Sequence, residues 1–455
     1  MTSSVIVLPI CTLQHDFQSV IQDVLDGVVP DDKFWVSCYK LGEPSVHGKV
    51  TATLDDRDRN KVLFKGHDGV ALKEYGKKVY AVSCPSLEIP ETRVAIPSAS
   101  FPNPADGRKS TQITSFDVSP DGLQFATGYH DGFVHIRPTT SPSAIPYGTS
   151  KAHVSTVTSL RFFPSSRVVL TSGADFALSI LSADLPESSP YTTAKITAAR
   201  TLRGHTRAVT STGIISRGRN VLSGAKDGTV RLWDIPTGAQ IRSFAAGTNH
   251  FIPVLALSTG ERWKEADEAT NDAQRADGSS DPREVDTSDK VVFCALQDGS
   301  FELFDLRTKL ATYRSPAGPP GMRTALQTIA YNPEISLLAT GSASGLVSLH
   351  DVRTLGNGPV VSFRRNEAPV EDIAFVKLAD ASFFVAPSET VDGSDIGLAI
   401  ATEDGLPYVA EVQPSGAKVR AELAGTDCDA VRSVRAVGHD LWSAADDGVV
   451  RRYRG

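Results

Sequence analysis

From about residue 110 onward the chain consists of short runs in which apolar and polar residues alternate, each run broken by a turn. The runs are "FATGYHDGFVHIRP", "LTSGADFALSILS", "LSGAKDGTVRLWD", "FCALQDGSFELFD", "LATGSASGLVSLHD", "AIATEDGLPYVAE" and "WSAADDGVVRRYR". A period of two puts alternate side chains on opposite faces of a strand, and an Asp-Gly pair supplies the tight turn between two antiparallel strands. Aligned on the turn, the copies carry Asp131, Asp175, Asp227, Asp298, Ser344, Asp404 and Asp447, spaced 43 to 71 residues apart. The shortest spacings match the roughly 40 to 45 residues of one four-stranded blade. Seven copies therefore predict an all-β, seven-bladed ring over residues 86–455. Residues 1–85 break the pattern. "HDFQSVIQDVLDG" has Phe17, Val20, Ile21, Val24 and Leu25 at helical spacing, and "KFWVSCYKL", "GKVTATL" and "KKVYAVSC" alternate as strands, so a small α+β domain is expected there.

Four residues before the turn stands a hydroxyl in five copies: Thr127, Thr171, Ser223, Thr340 and Ser443. His153 and His205 lie the same distance, 22 residues, before Asp175 and Asp227. These types at this spacing predict a buried polar chain in which the histidine joins the turn aspartate, and Ser223 and the Trp233 N–H complete the network. Each such group would cost about 1–3 kcal/mol if buried unpaired. The residues resemble the WD-repeat family, which implies a seven-bladed β-propeller. On this reading His153, Asp175, His205, Ser223, Asp227 and Trp233 hold blades together and are not a catalytic Ser/His/Asp set.

After its last Asp-Gly the chain supplies only one further strand, so the seventh blade needs an outer strand from elsewhere. Thr92–Ile96 in "ETRVAIP", short and bounded by prolines, is the expected closing strand. The longer spacings mark insertions. "ERWKEADEATNDAQRADGSSDPREVDTSDK" is dense in charge and poor in apolar residues, and predicts a disordered acidic loop at about 261–289; "SETVDGSD" predicts a shorter one.

A net charge of -7, from 46 Lys+Arg against 53 Asp+Glu, speaks against nucleic acid and favours a basic protein partner. The five cysteines are scattered without a C-x-x-C pair, so no disulfide framework or zinc site is expected, and a reducing, cytoplasmic or also nuclear location fits. No run is apolar enough to cross a membrane, and no phosphate-loop, G-x-S-x-G or H-E-x-x-H motif occurs. No cofactor, metal or catalytic residue is expected, and a closed ring gives no reason to self-associate, which favours a monomer outside any complex.

"LRGHTRAVTSTGIISRGRNVLSGAKDGTVRLWD", "RFFPSSRVVLTSGADFALSILSADL" and "AELAGTDCDAVRSVRAVGHDLWSAADDGVVRRYRG" resemble the proteasomal ATPase-associated factor family. The resemblance implies a non-enzymatic chaperone for assembly of the proteasome regulatory particle, binding the C-terminal domain of an ATPase subunit. The alternative is another WD-repeat scaffold, such as a ubiquitin ligase substrate receptor. In a propeller, loops crowd one face, and there the acids gather on the last two blades: Glu403 and Asp446 before their turns, Glu371 and Asp372 near a strand start, and Asp427 and Asp429 in the loop beyond. These six are the expected contacts for a basic partner domain.

Overall fold

The structure, a computed structural model, describes the chain except residues 1–4, 77, 104–111, 143–145, 185–192, 248–250, 264–280, 309, 318–323, 379–395, 414 and 455. Each alternating run forms the second and third strands of a four-stranded antiparallel unit. The seven units span residues 113–151, 157–203, 209–245, 254–314, 326–364, 370–423 and 431–453, the last completed by Ala99–Pro102. The innermost strands touch in sequence order, and Val431–Val437 of blade seven returns to Ile113–Val118 of blade one, so the ring is closed. Every innermost strand has a register shift near its start, as at Val157/Ser159 and Val431/Ser433. Such a bulge sharpens the local twist that a blade requires. The cores lie between blades; Val230, Leu232 and Phe244 of blade three meet Val254, Leu257 and Val292 of blade four.

The turn glycines are dictated twice over. Gly228 has φ +76°, and a Cβ there would sit 2.4 Å from the backbone carbon of Phe251 in the loop entering the next blade. Only glycine permits both the left-handed backbone and that approach.

The ring is not sealed by Thr92–Ile96. Strand Ile89–Ala95 instead runs parallel to the outer strand of blade six, with Arg93 opposite Ala421 and Ala95 opposite Leu423. Ala99–Pro102 closes blade seven, antiparallel to Val449–Arg452, with Phe101 opposite Val450. The reason is packing: Phe101 is fully buried, with its ring 5.7 Å from Trp442 and 5.3 Å from Phe125 of blade one. Pro102 is tolerated because the strand is an edge.

The N-terminal residues form a four-stranded sheet of Ile10–Leu13, Asp31–Tyr39, Val46–Leu54 and Val62–Gly66. Helix Phe17–Leu25 buries Phe17, Val20, Ile21 and Val24 in the same core, and Gly27 at φ +72° follows its end. The expected boundary after residue 85 divides a paired hairpin, since Val79–Cys84 is antiparallel to Ile89–Ala95 and so continues the sheet of blade six. Ile6–Val7 adds in parallel to the outer strand of blade five, with Ile6 opposite Phe363. The N-terminal unit is thus woven into two blades.

Most of the acidic insertion expected at 261–289, and all of "SETVDGSD", lie outside the described residues. The described end of the insertion is held in place, against the expectation of disorder. Asn220, fully buried, donates to the Arg283 carbonyl at 3.0 Å and accepts from Val285 N–H at 2.7 Å, and Glu284 pairs with Arg242. A buried amide must find partners, and this segment supplies them.

Candidate partner-binding face

The polar chain within a blade is complete in blades two and three. His205 Nδ1 lies 2.9 Å from Asp227 Oδ2 and its Nε2 2.7 Å from Ser223 Oγ, which also accepts from Trp233 Nε1 at 2.8 Å. His153 Nδ1 lies 2.9 Å from Asp175 Oδ1, and its Nε2 2.9 Å from Thr171 Oγ1. Burial holds the His153 pKa below the usual imidazole value, against the pull of Asp175. Asp227 loses to burial but gains more from His205, Thr229 and the Thr206 N–H, which together hold its carboxyl below the ordinary range. Every polar atom of the serine, histidine and aspartate is committed to the blade, so none is available as a nucleophile or base.

Blades four, six and seven keep the turn acceptor but change its donor: Arg314 meets Asp298 at 2.6 Å, Asn366 Nδ2 meets Asp404 at 2.6 Å, and Arg451 pairs with Asp447. In blade five the turn residue Ser344 instead donates to Thr324 Oγ1 at 3.2 Å. Sequence reasoning missed these substitutes because they differ in type from the histidine they replace. For Arg314 and Asn366 the signal is position, in or just after the outer strand of a blade, whereas Arg451 stands four residues after its own turn.

The six acids expected on the binding face divide into two sets. Glu371 and Asp372 belong to the innermost strand Val370–Lys377 and line a polar space of about 190 Å³ in the central channel. There Arg432 reaches Glu371 at 3.2 Å and grips Asp446 at 3.0 and 2.7 Å. Arg435 pairs with Asp372 and, at 2.9 Å, with Asp117 of blade one. Asp117 and Asp372 also accept the backbone N–H groups of Phe162 and Val434 in the following blades, at 2.7 and 3.2 Å. Glu371, Asp372 and Asp446, three of the six acids expected to meet a basic partner, are thus already paired with cations of the fold. They are neutralised stitches at the seam where blades six, seven and one meet.

The position of these stitches explains them. In blades one to three the bulge residues are Thr114, Thr158 and Thr210, whose hydroxyls donate to the next blade's backbone at Val157, Val209 and Val254, over 2.7, 2.6 and 2.8 Å. At the equivalent bulges stand Glu371 and Arg432, so the seam uses ions where other junctions use hydroxyls. Burial raises the Glu371 pKa against the pull of Arg432, whereas Arg435, though buried, is held more strongly protonated by Asp372 and Asp117.

Glu403, Asp427 and Asp429 remain. Glu403 is exposed on the turn of blade six, and Asp427 and Asp429 sit in the loop from blade six to blade seven. The turn and loop touch, since a Cβ on Gly405 would lie 2.8 Å from the Asp429 carbonyl oxygen. Among the described residues, none of these three carboxylates makes a hydrogen bond or ion pair. On the turn of blade three and in the loop entering that blade, Lys226 and Arg207 are exposed and likewise free, so the loop face carries opposite charge on its two sides.

Beside the acids, a buried ion pair fastens the N-terminal unit. Arg365 Nη2 lies 2.5 Å from Glu422 Oε1, its Nε donates to the Pro9 carbonyl at 3.1 Å, and its guanidinium stacks 4.2 Å from the Tyr408 ring centre. Cys11 N–H donates to the same Glu422 oxygen at 3.0 Å. Among the described residues no cluster of His, Cys, Asp or Glu has the makings of a metal site, and no helix is long and apolar enough to cross a membrane.

The WD domain, G-beta repeat family matches residues 103–137, 145–180 and 197–234, which lie in blades one to three and include the turns with intact His-Asp pairs. The 26S proteasome regulatory subunit RPN14 of Saccharomyces cerevisiae is similar at 25% identity over 379 residues, 81% of each chain. The probable E3 ubiquitin ligase complex SCF subunit sconB of Arthroderma benhamiae is 36% identical over 84 residues, 18% of this chain and 13% of that protein. That span is about the length of two blades. The closed ring of blades and the matched repeats make the fold a seven-bladed WD-repeat β-propeller.

Proposed function

We propose that this protein is a non-enzymatic assembly chaperone of the proteasome regulatory particle, which binds a basic domain of an ATPase subunit through the loop face of blades six and seven. The observation that carries the proposal is the trio Glu403, Asp427 and Asp429. These carboxylates share one patch of the loop face, and no cation among the described residues answers them. Similarity along 81% of its length to a protein named as a 26S proteasome regulatory subunit supports the choice of partner. Exposed acids of this kind mainly accelerate encounter and set orientation, and their effect weakens with salt. The opposite charge of Lys226 and Arg207 across the ring would help fix how the partner lies.

The test is binding of the recombinant C-terminal domain of each regulatory-particle ATPase subunit to the wild type and to the triple variant Glu403→Lys, Asp427→Lys, Asp429→Lys. One subunit should bind the wild type with an affinity that falls as salt rises, and the triple variant at least tenfold more weakly with an unchanged melting temperature. Full-strength binding by the folded triple variant, or no binding of any subunit by the wild type, would reject the proposal.

A further inference from the structure

Where the N-terminal sheet meets blades six and seven, a cleft of about 820 Å³ opens between them. This is within the size range of sites that hold a ligand. Leu13, Phe17, Trp35, Ile96, Leu406 and Ala424 contribute apolar surface, and Trp35 is still 43% exposed. One wall is strand Ile10–Leu13, an edge strand whose one strand neighbour among the described residues is Asp31–Tyr39.

The register shows which of its backbone groups are free. Gln14 N–H donates to the Trp35 carbonyl at 3.1 Å, so Thr12 and Gln14 turn toward the neighbouring strand. Alternation then turns the N–H and C=O of Cys11 and Leu13 the other way. Cys11 N–H is taken by Glu422. The Cys11 carbonyl and both polar groups of Leu13 have no hydrogen-bond partner among the described residues, and both residues line the cleft. An edge with unanswered donors and acceptors beside an apolar trough is the arrangement that accepts an added strand.

Charge narrows the occupant. Asp427, which is unpaired, lines the cleft, and Asp404 lines it beside the free Glu403. Lys78 and Arg451 also line it but are engaged, Lys78 donating to the Pro97 and Ser98 carbonyls at 3.0 and 3.3 Å and Arg451 paired with Asp447.

We propose that the cleft captures an extended segment of a partner polypeptide as an additional strand on Ile10–Leu13. Alternate apolar side chains of the segment fill the trough, and a lysine or arginine next to them reaches Asp427. The cleft borders the acidic patch and shares Asp427 with it, and the inference holds whichever protein supplies the segment.

The experiment uses the full chain and three fluorescein-labelled hexapeptide probes read by anisotropy. The first alternates valine or leucine with threonine and carries one lysine; the second has that lysine replaced by glutamate; the third is the first with alternate amides N-methylated. The first probe should bind saturably, and the other two at least tenfold more weakly. Asp427→Lys should weaken the first probe about tenfold, and Ala424→Trp, which fills the trough, should abolish its binding while leaving ATPase-domain binding in place. Melting curves establish that both variants fold, and Leu13→Pro, which removes one edge N–H, provides a second route should Ala424→Trp misfold. Equal binding of the N-methylated probe would overturn strand addition and leave a site for small apolar molecules. Absence of saturable binding by the first probe would overturn the inference altogether.

Discussion

Closure of the ring by Ala99–Pro102 can be tested at Phe101. The ring of this residue is fully buried and wedged between Trp442 of its own blade and Phe125 of blade one, at 5.7 and 5.3 Å. Phe101→Ala leaves the backbone pairing to Val449–Arg452 possible and removes only the wedge. Burying a phenylalanine removes about 150–250 Å² from water, which at ~25 cal/mol per Å² gives ~4–6 kcal/mol. Measured Phe→Ala losses in packed cores run at about 3–5 kcal/mol, so ~4 kcal/mol is expected. The control is Thr92→Ala on the strand attached to blade six. Its hydroxyl makes one hydrogen bond, to the Pro90 carbonyl at 3.2 Å, worth about 1 kcal/mol. Urea unfolding, followed by tryptophan fluorescence and far-ultraviolet circular dichroism, should show a large loss for Phe101→Ala and a small one for Thr92→Ala. If Phe101→Ala costs under ~1 kcal/mol, or Thr92→Ala costs more than Phe101→Ala, then 99–102 is not what seals the ring.

Three further outcomes are expected. Arg435→Leu leaves buried Asp117 and half-buried Asp372 without their cation and should cost about 3–5 kcal/mol in denaturant unfolding, of which Asp117→Asn with Asp372→Asn should restore a measurable part. Ser223→Ala strands His205 Nε2 and the Trp233 N–H and should cost about 2–4 kcal/mol, whereas Thr340→Ala, with one 3.4 Å bond to the Ser348 carbonyl, should cost less than about 1 kcal/mol. Burial lowers the His350 pKa to about 4, so the folded state binds the proton less well than the unfolded chain at about 6.5; its contribution is whole above pH ~6.5 and is lost as pH falls toward 4. The wild type should therefore lose ~3 kcal/mol more than His350→Phe across that interval, and parallel pH profiles would contradict it.

What could be read from the sequence was whatever repeats locally. His205, Ser223, Asp227 and Trp233 lie within 29 residues and recur in register with His153, Thr171 and Asp175, so one blade interprets another. The closing strand was not legible in this way. Thr92–Ile96 has the better alternation and is indeed extended, but whether it or 99–102 meets the last blade depends on which apolar side chain fits beside Trp442, a fact about residues far apart in the chain. The acid face was legible in sign and not in partnership. The acids of blades six and seven are plain in the sequence, but that Arg432 and Arg435 would neutralise Glu371, Asp372 and Asp446 depends on adjacent inner strands that set Glu371, Asp372, Arg432 and Arg435 together beside the channel, within reach of the Asp446 turn. Glu403, Asp427 and Asp429 stayed free because they stand on the turn and loop above it.

The hydrogen bond from Ser98 to Arg452 joins residues 354 positions apart, and the strand beside it cannot pair until the seventh blade has been synthesised. Through most of translation the nascent protein is therefore an open arc, with the Phe101 ring waiting without its indole and two unsatisfied rims available to neighbours. Contacts of such long span form late and slowly. The interval of greatest aggregation risk should fall at the end of synthesis, and premature termination within the last blade should be far more damaging than its few missing residues would suggest.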